Sequence, residues 1–171
     1  MKHPEDPISQ DTTPDESPRE IEDSELTISF HYMRVDDNIK FSIEGTIDKK
    51  CDVTIMGNII FSSLNTAIIN HIFVEDIMRK RGLGKKLLTR LEEELKKQGI
   101  QTIYACFTNP KTVDFFLHSQ YKITTPEFES SQRTRADLTR VWDKRVKSEE
   151  DFRKLMADPE EHFGVIILVK K

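Results

Sequence analysis

The chain has 171 residues, of which 36% are hydrophobic and 33% are charged, and its formal net charge is −4. This length favours one domain with a sizeable core, and no apolar stretch is long enough to span a membrane. Two cysteines exclude a disulfide framework and a cysteine-based metal cluster, and the N-terminus lacks the apolar region of a signal peptide, so we expect a cytoplasmic protein, with the nucleus as the alternative.

Residues 1–25 are predicted to form a disordered acidic tail. They contain nine acidic residues, two basic residues, four prolines and few large apolar side chains. Such a segment buries too little surface to offset its ordering entropy. Its net charge of −7 leaves +3 for the rest of the chain, which is therefore mildly basic. We interpret the tail as a solvated extension, with a partner-binding arm or a mimic of an anionic substrate as alternatives.

The next fifty residues show strand-like alternation of apolar and polar side chains, interrupted by turn signals. The predicted strands cover residues 26–32, 39–47, 53–61 and 67–74. Gly57 interrupts the third strand and indicates a β-bulge there. The pattern predicts an antiparallel meander.

An amphipathic helix is predicted over residues 83–98, with a leucine stripe on one side and Gly99 as its C-terminal stop. A further strand over 101–107 would return parallel to the strand 67–74 through a right-handed crossover. Cys106 lies in that strand and Cys51 in an earlier apolar run, which favours core thiols over catalytic ones.

The loop between strand 67–74 and the helix is short, glycine-containing and basic. Gly82 and Gly84 have no Cβ, so a ligand can approach the backbone closely. The helix start adds unpaired N–H groups and the positive end of the macrodipole. Five positive charges surround these glycines, at Arg79, Lys80, Arg81, Lys85 and Lys86. The arrangement predicts a site for a ligand with several phosphate charges.

The pattern Arg79-x-x-Gly82-x-Gly84 resembles the Arg/Gln-x-x-Gly-x-Gly/Ala signature of the GCN5-related N-acetyltransferase (GNAT) superfamily. Val74 ends the preceding strand as in that family, and the segment from Asn109 to Tyr121 looks like its Asn-containing helix. The resemblance covers roughly residues 67–123. It implies an α+β fold in which the meander leads into a β-α-β-α-β unit, so that residues 26–171 form an acyl-CoA-binding domain.

The resemblance also implies an activity and a cofactor site. It implies transfer of an acetyl group from acetyl-CoA, as cosubstrate, to an amine. The backbone of the basic loop would hold the pyrophosphate, and the edge of the fourth strand would pair with the pantetheine arm and supply an oxyanion donor. The implied cofactor-binding residues are Phe73, Val74, Arg79, Lys80, Arg81, Gly82, Leu83, Gly84, Lys85, Asn109 and Lys111. Asn109 is also a good helix N-cap before Pro110, and both roles are compatible.

Two departures from the family concern the acceptor side. The family usually places two helices between its first two strands, whereas only residues 33–37 separate them here. Conversely, more than thirty residues lie between the last two predicted strands, 121–125 and 163–169, and they are too many for bare loop. We predict a helical insertion over residues 126–161 with two helices, one carrying Leu138, Val141, Trp142 and Val146. The insertion would form one wall of the site that binds the acceptor amine. The alternatives are that it only covers the core or that it forms a dimer contact.

The catalytic groups are less defined by the sequence. The resemblance places Phe116 where many relatives have a tyrosine that protonates the leaving thiolate. For the general base we select His71, whose imidazole suits proton transfer near neutral pH, and Glu75. The alternative for His71 is a histidine whose hydrogen bonds are satisfied within the sheet. The alternative for Glu75 is a carboxylate at the start of the loop that faces solvent. No metal site is predicted.

Three functional interpretations follow. The first is an N-acetyltransferase whose acceptor is a protein, peptide or polyamine. The second is a non-catalytic module that binds coenzyme A or another protein, including a second copy of the chain, and it would explain Phe116. The third is nucleic-acid binding through residues 79–97 and 133–147, against which the scarcity of aromatic stacking residues argues.

Overall fold

The computed structural model describes residue 22 and residues 25–35, 38–60, 66–76, 79–128, 132–157 and 164–171. It contains seven strands and four α-helices within these ranges. The strands are β1 (Thr27–Val35), β2 (Asn38–Ile47), β3 (Lys50–Ile60), β4 (Thr66–Val74), β5 (Thr102–Phe107), β6 (Lys122–Ile123) and β7 (Ile166–Lys170). The helices are α1 (Leu83–Lys97), α2 (Pro110–His118), α3 (Gln132–Val141) and α4 (Glu149–Met156).

All seven strands form one sheet in the order β1-β2-β3-β4-β5-β7-β6. The first four strands pair antiparallel in sequence order, which confirms the predicted meander. The register between β3 and β4 shifts at Met56/Gly57, the predicted position, but the extra residue is Asn70 of β4 and not Gly57 of β3; a second shift lies at Gly45/Thr46. The predicted disorder of residues 1–25 and the separating turns at 36–37 and 61–65 lie at least partly outside the described residues.

Helix α1 packs against β2, β3 and β4 through the predicted leucine stripe. Leu83, Leu87, Leu88, Leu91 and Leu95 are all buried. The helix ends as expected, because Gly99 adopts a left-handed φ of 82° and its amide bonds to the Lys96 carbonyl. This helix forms the crossover between β4 and β5, which pair in parallel as predicted.

The pairing of β4 with β5 covers only part of β4. It runs from Thr66↔Thr102 to Ile69↔Ala105 and stops there, although β4 continues to Val74 alongside β3. We call the point beyond Ile69 and Ala105 the split. Asn70 has no partner in β3 at this point, because Gly57 pairs with Ile69 and Met56 with His71. The bulge therefore coincides with the end of the pairing between β4 and β5.

The two faces of the sheet are covered differently. The main core lies on the helical face, where buried residues of α1, α2 and α4 such as Leu91, Phe116 and Phe152 pack on the sheet. On the opposite face, Leu138 of α3 packs on Tyr104 of β5 and Ile167 of β7. The predicted insertion therefore contains two helices, and they lie on opposite faces of the sheet.

A buried carboxylate fastens the insertion to the start of β7. Asp143 Oδ2 accepts a hydrogen bond from Gly164 N at 2.9 Å and from Arg145 Nη2 at 2.8 Å, and Asp143 N donates to Val165 O at 2.7 Å. These bonds hold the pKa of Asp143 at about 2, mainly through Arg145. We call this group of residues the clasp.

The prediction of one helix carrying Leu138, Val141, Trp142 and Val146 was wrong beyond Leu138, because α3 ends at Val141 and the last two residues lie outside it. Leu138 and Val146 are buried, but Val141 is 48% exposed at the last residue of α3. Trp142 then leaves the helix to bridge Val165, so the periodicity of the stripe does not continue past Leu138. Among the described residues, no helix is both long enough and apolar enough to cross a membrane.

Candidate active site

A cavity of about 620 Å³ lies on the helical face above the unpaired end of β4. It is bounded by the basic loop, the first turn of α1 and one side of α2. Its lining residues are Ile72, Val74, Arg79, Lys80, Gly82, Leu83, Gly84, Lys85, Asn109, Lys111, Thr112, Phe115, His118 and Ser119. Four of these are cationic and none is acidic, so the cavity favours an anionic ligand.

The loop exposes the N-terminus of α1 to this cavity. Gly82 is the N-cap with a left-handed φ of 78°, no side chain caps the helix, and its first turn contains no acidic residue. The first helical bond runs from Lys86 N to Gly82 O at 3.0 Å. The amides of Leu83, Gly84 and Lys85 precede it and have no helical acceptor. They are available to an anion at the positive end of the helix dipole.

Arg79 holds this loop against the end of β4. Its Nε donates to Val74 O at 3.2 Å, and its Nη2 forms an ion pair with Asp76 Oδ1 at 2.7 Å. Its backbone N–H also donates to Asp76 O at 3.2 Å. The Arg79 side chain lines the cavity as well, so its contribution is at least partly to position the loop.

The cavity narrows where the two helices approach each other. A Cβ built on Gly84 would lie 3.4 Å from Phe115 of α2 and 3.6 Å from Val74 of β4. A side chain at position 84 would therefore fill the space between the two helices. Glycine keeps this space open to a ligand that reaches from the loop down to β4.

Asn109 begins α2 at the mouth of the cavity. Its Oδ1 accepts hydrogen bonds from Lys111 N at 2.9 Å and Thr112 N at 3.3 Å, so the predicted N-cap is present. The cap uses only the carbonyl oxygen of the amide. The Nδ2 group is therefore still available as a donor to a ligand in the cavity.

The family model for the acetyltransferase (GNAT) family matches residues 8–120. The chain belongs to the GNAT acetyltransferase family. The match confirms the resemblance seen in the loop motif, and the sheet with its helices is the fold expected from it. A comparison with curated proteins gave no significant match.

Solved structures confirm the GNAT fold. N-acetylglutamate synthase from Neisseria gonorrhoeae, complexed with coenzyme A and N-acetyl-glutamate, is 16% identical with a TM-score of 0.53, covering 75% of this chain and 25% of that chain. An acetyltransferase from Thermus thermophilus is 14% identical with a TM-score of 0.52, covering 80% and 66%. The GNAT domain of S. lividans PAT is 16% identical with a TM-score of 0.51, covering 80% and 63%. This chain thus spans a quarter of the synthase and about two thirds of the other two.

Within this GNAT domain, most of the predicted cofactor residues lie together. Nine of the eleven line the cavity, and the exceptions are Phe73 and Arg81. The Phe73 side chain points to the opposite face and is 47% exposed, because Ile72 and Val74 take the positions facing the cavity. Only the backbone of Phe73 could contact a ligand in the cavity.

The two predicted bases also lie outside the cavity. His71 alternates with Ile72 and therefore lies on the opposite face, where it follows the split by two residues. Glu75 lies just past the far end of β4, where its N–H donates to Asp52 O at 2.9 Å. The structure thus places His71 next to the split and Glu75 well beyond it.

Phe116 does not face the cavity. It is fully buried, and its ring centroid lies 5.0 Å from Phe107, 5.2 Å from Phe115 and 4.9 Å from Tyr121. Tyr121 is also buried, and burial, with the neighbouring Glu92 carboxylate, raises the pKa of its hydroxyl well above the usual range. Neither side chain can therefore donate a proton into the cavity, where Phe115 is the aromatic residue of α2.

The environment of Cys106 is unlike that of a reactive cysteine. Burial raises the pKa of its thiol to about 12, whereas reactive cysteines have lowered pKa values. It packs beside the Leu138 cluster on the opposite face, as the apolar run around it indicated.

Sequence reasoning missed five lining residues: Ile72, Thr112, Phe115, His118 and Ser119. Thr112, Phe115 and His118 recur every three positions along α2, and Ser119, its C-cap, lies four positions after Phe115, so these four form one face of the helix. Given a cap at Asn109, this spacing could have identified them. Ile72 depends on the phase of β4 after the bulge, which the sequence left open.

Proposed function

We propose that this GNAT domain is an acetyl-CoA-dependent N-acetyltransferase that acts on an amine. The observation that carries the proposal is the continuity of the cavity with the split: the cationic loop, the unpaired edge of β4 and the gap between β4 and β5 follow one another. A ligand with a charged head and an extended arm fits such a path. Acetyl-CoA has both parts and carries a transferable group at the end of the arm.

The pyrophosphate would bind at the N-terminus of α1. The amides of Leu83, Gly84 and Lys85 would donate to its oxygens, and Lys80 and Lys111 would compensate its charge. The gonococcal synthase of the same fold was solved with coenzyme A bound, which supports this ligand for the cavity.

The pantetheine arm would run along the free edge of β4. From Val74 to Asn70 this edge spans roughly 13 Å at about 3.3 Å per residue. Its backbone groups face the gap that opens at the split, where β5 no longer pairs with them. The arm would take the place of the missing strand, and a β4 amide at the bulge would donate to the thioester oxygen as negative charge develops there.

The amine would reach the thioester from the opposite face, because the arm itself fills the helical face. His71 is the proposed general base, since it lies on that face next to the split. Helix α3 covers β5 and β7 on the same face and would form the acceptor wall beside it. Most of the acceleration would come from holding the amine and the thioester in contact.

The thiolate would leave without a protein acid. Phe116 and Tyr121 are buried away from the cavity, and the described lining contains no tyrosine. A thiol with an ordinary pKa of about 8.5 is a tolerable leaving group at neutral pH, so the reaction does not require a protein group that protonates the thiolate.

Incubation with acetyl-CoA and an acceptor panel tests the activity. The panel contains peptides with free N-termini, an N-blocked peptide with an internal lysine, and spermidine. We expect release of the coenzyme A thiol together with an acceptor heavier by one acetyl group. The Gly84→Val variant, which fills the space against Phe115, should lose both signals.

A second candidate is a module that binds coenzyme A without turnover, and the absence of a tyrosine from the described lining favours it. It predicts stabilisation of the protein by acetyl-CoA but no acetylated product with any member of the panel. This result would replace the proposed activity while leaving the proposed binding site intact.

A further inference from the structure

The opposite face presents an apolar surface beside the split. Met56 lies directly across from His71 in the register between β3 and β4, and Phe73 lies two residues further along β4. Both side chains point away from the core and are exposed, Met56 by 40% and Phe73 by 47%. We call Met56 and Phe73 the shelf. Diagonal neighbours on one sheet face are close enough to contact one ligand group together.

The two shelf side chains are uncharged, and the carboxylates near them lie beyond Phe73 on one side. Glu75 follows Phe73 by two residues, roughly 7 Å away on the same face, whereas Glu44, in the row of Thr54 and Phe73, lies two strands away at roughly 10 Å. Glu44 Oε2 is also 4.0 Å from His31 Nε2. A polyamine has a charge every few bonds and requires carboxylates along its length. The shelf instead suits a neutral, apolar group.

The available base limits the amine that can be used. The only imidazole of β4 is His71, and an imidazole is a weak base. An α-ammonium has an ordinary pKa of about 7.7–8.0, whereas that of a lysine ammonium is about 10.4. At pH 7.5 a peptide N-terminus is therefore partly neutral, while a lysine is almost entirely charged. A site whose general base is an imidazole therefore favours the α-amine of a peptide over the side-chain amine of a lysine.

We propose that the acceptor is the α-amine of a peptide whose first residue has a large apolar side chain, which binds on the shelf. This rests on the proposed function. An α-amine and its side chain share one Cα, so the amine can enter the split while the side chain covers Met56 and Phe73. The rest of the peptide extends over the exposed opposite face.

The transfer balances without a further reactant. The neutral α-amine attacks the thioester carbon, the N–C bond forms and the C–S bond breaks. The amine proton passes to His71 and from there to solvent. The coenzyme A thiolate leaves with the electron pair of the C–S bond and takes a proton from solvent.

Matched acceptors test the proposal. Four acceptors are compared by kcat/KM at one acetyl-CoA concentration: two hexapeptides identical except for a first residue of phenylalanine or aspartate, an N-blocked hexapeptide with an internal lysine, and spermidine. We expect the phenylalanine peptide to exceed each of the others by about tenfold or more, the discrimination that an apolar pocket supplies. Equal rates for the two peptides, or faster use of the lysine peptide or spermidine, would overturn it.

Variants of the shelf make the test specific. Phe73→Ser and Met56→Ser should each lower kcat/KM for the phenylalanine peptide several-fold while leaving the stabilisation by acetyl-CoA unchanged. Met33→Ser is the matched control, because Met33 is 59% exposed on the same face but lies on the outer strand β1. An equal loss in Met33→Ser, or no loss in the shelf variants, contradicts the proposal.

The outcomes separate this proposal from the one on which it rests. If acetyl-CoA stabilises the protein but no acceptor is acetylated, the proposed activity and the acceptor class are both wrong and the binding site stands. If the lysine peptide or spermidine alone is acetylated, the activity stands and only the acceptor class is wrong.

Discussion

Phe116 shows that one residue can match a family position in sequence and differ in orientation. Its ring is buried against Phe107 and Tyr121 in the core, whereas Phe115, one position earlier, lines the cavity. Successive residues of a helix differ by about 100° in direction, so an alignment error of one residue moves a side chain from the cavity to the core. A tyrosine hydroxyl would reach the cavity from position 115, not from 116.

Tyrosine substitutions at the two positions should therefore differ. Phe116→Tyr buries a hydroxyl among rings, which we expect to lower the free energy of unfolding by about 1–3 kcal/mol without increasing the rate. Phe115→Tyr can direct its hydroxyl into the cavity and should change stability by about 0.5 kcal/mol or less. Urea unfolding of both variants measures this. An unaltered stability together with a higher rate for Phe116→Tyr would show that the assigned orientation is wrong.

Gln120 adopts a conformation that favours glycine. Its φ is 70°, in the left-handed region. A non-glycine residue in this region of φ/ψ space carries a strain of roughly 1–2 kcal/mol. Glycine removes this strain, but its greater freedom in the unfolded chain cancels part of the gain in stability. Gln120→Gly should therefore raise the free energy of unfolding by about 0.5–1 kcal/mol. Gln120→Ala is the control and should give no gain, and a loss of stability in Gln120→Gly would contradict the argument.

At the scale of elements, the clasp joins the helical insertion to the last strand. Asp143 receives hydrogen bonds from Arg145 and Gly164, and a Cβ on Gly164 would lie only 2.9 Å from Asp143 Cβ. The carboxylate is nearly inaccessible, with 6% of its side chain exposed. The clasp therefore fixes how α3 and α4 leave the sheet on its two faces.

The lowered pKa of Asp143 sets the pH at which the clasp contributes. The pKa falls from 3.8 to about 2 on folding, which corresponds to roughly 2 kcal/mol. Because the folded value is depressed, this stabilisation is complete above the unfolded pKa and disappears as the pH falls from about 4 toward 2. Asp143→Asn should be less stable than the parent by about this amount at pH 7. The difference should shrink at pH 2–3 in urea unfolding, and a difference independent of pH would refute the role of the charge.

The elements with strong local signals could be predicted from the sequence. The leucine period of α1, the turn residues of the meander and the cap at Asn109 all identified their elements to within a few residues. The side of β4 that faces the cavity could not be predicted, because the bulge at Asn70 shifts the alternation of β4 side chains by one residue. The exposure of Val141 was missed for a related reason, since the chain turns out of α3 toward Val165.

At the scale of the molecule, the two faces of one sheet have separate proposed roles. The helical face carries the cationic loop and the cavity, and the opposite face carries His71, the shelf and α3. The split between β4 and β5 is the passage between them, because beyond Ile69 and Ala105 the two strands no longer pair. The cofactor and the acceptor would then approach the same point from opposite sides, which keeps the phosphate charges of the cofactor away from the acceptor.

The proposed function depends on the binding of acetyl-CoA by the loop at the start of α1. The most direct measurement is the melting temperature of the full chain with and without acetyl-CoA, compared with Gly82→Glu and Gly99→Glu. Both glycines adopt left-handed φ values, 78° and 82°, at opposite ends of α1, so the two variants carry similar backbone strain. Only Gly82 lines the cavity, and a Cβ on Gly99 meets no atom within 4 Å.

At 100 times its dissociation constant, acetyl-CoA should stabilise the parent by about 2.7 kcal/mol, which is roughly 5–10 °C for a chain of this size. We expect Gly99→Glu to keep this shift and Gly82→Glu to lose it. A shift that persists in Gly82→Glu, or no shift in the parent at millimolar acetyl-CoA, would contradict the claim.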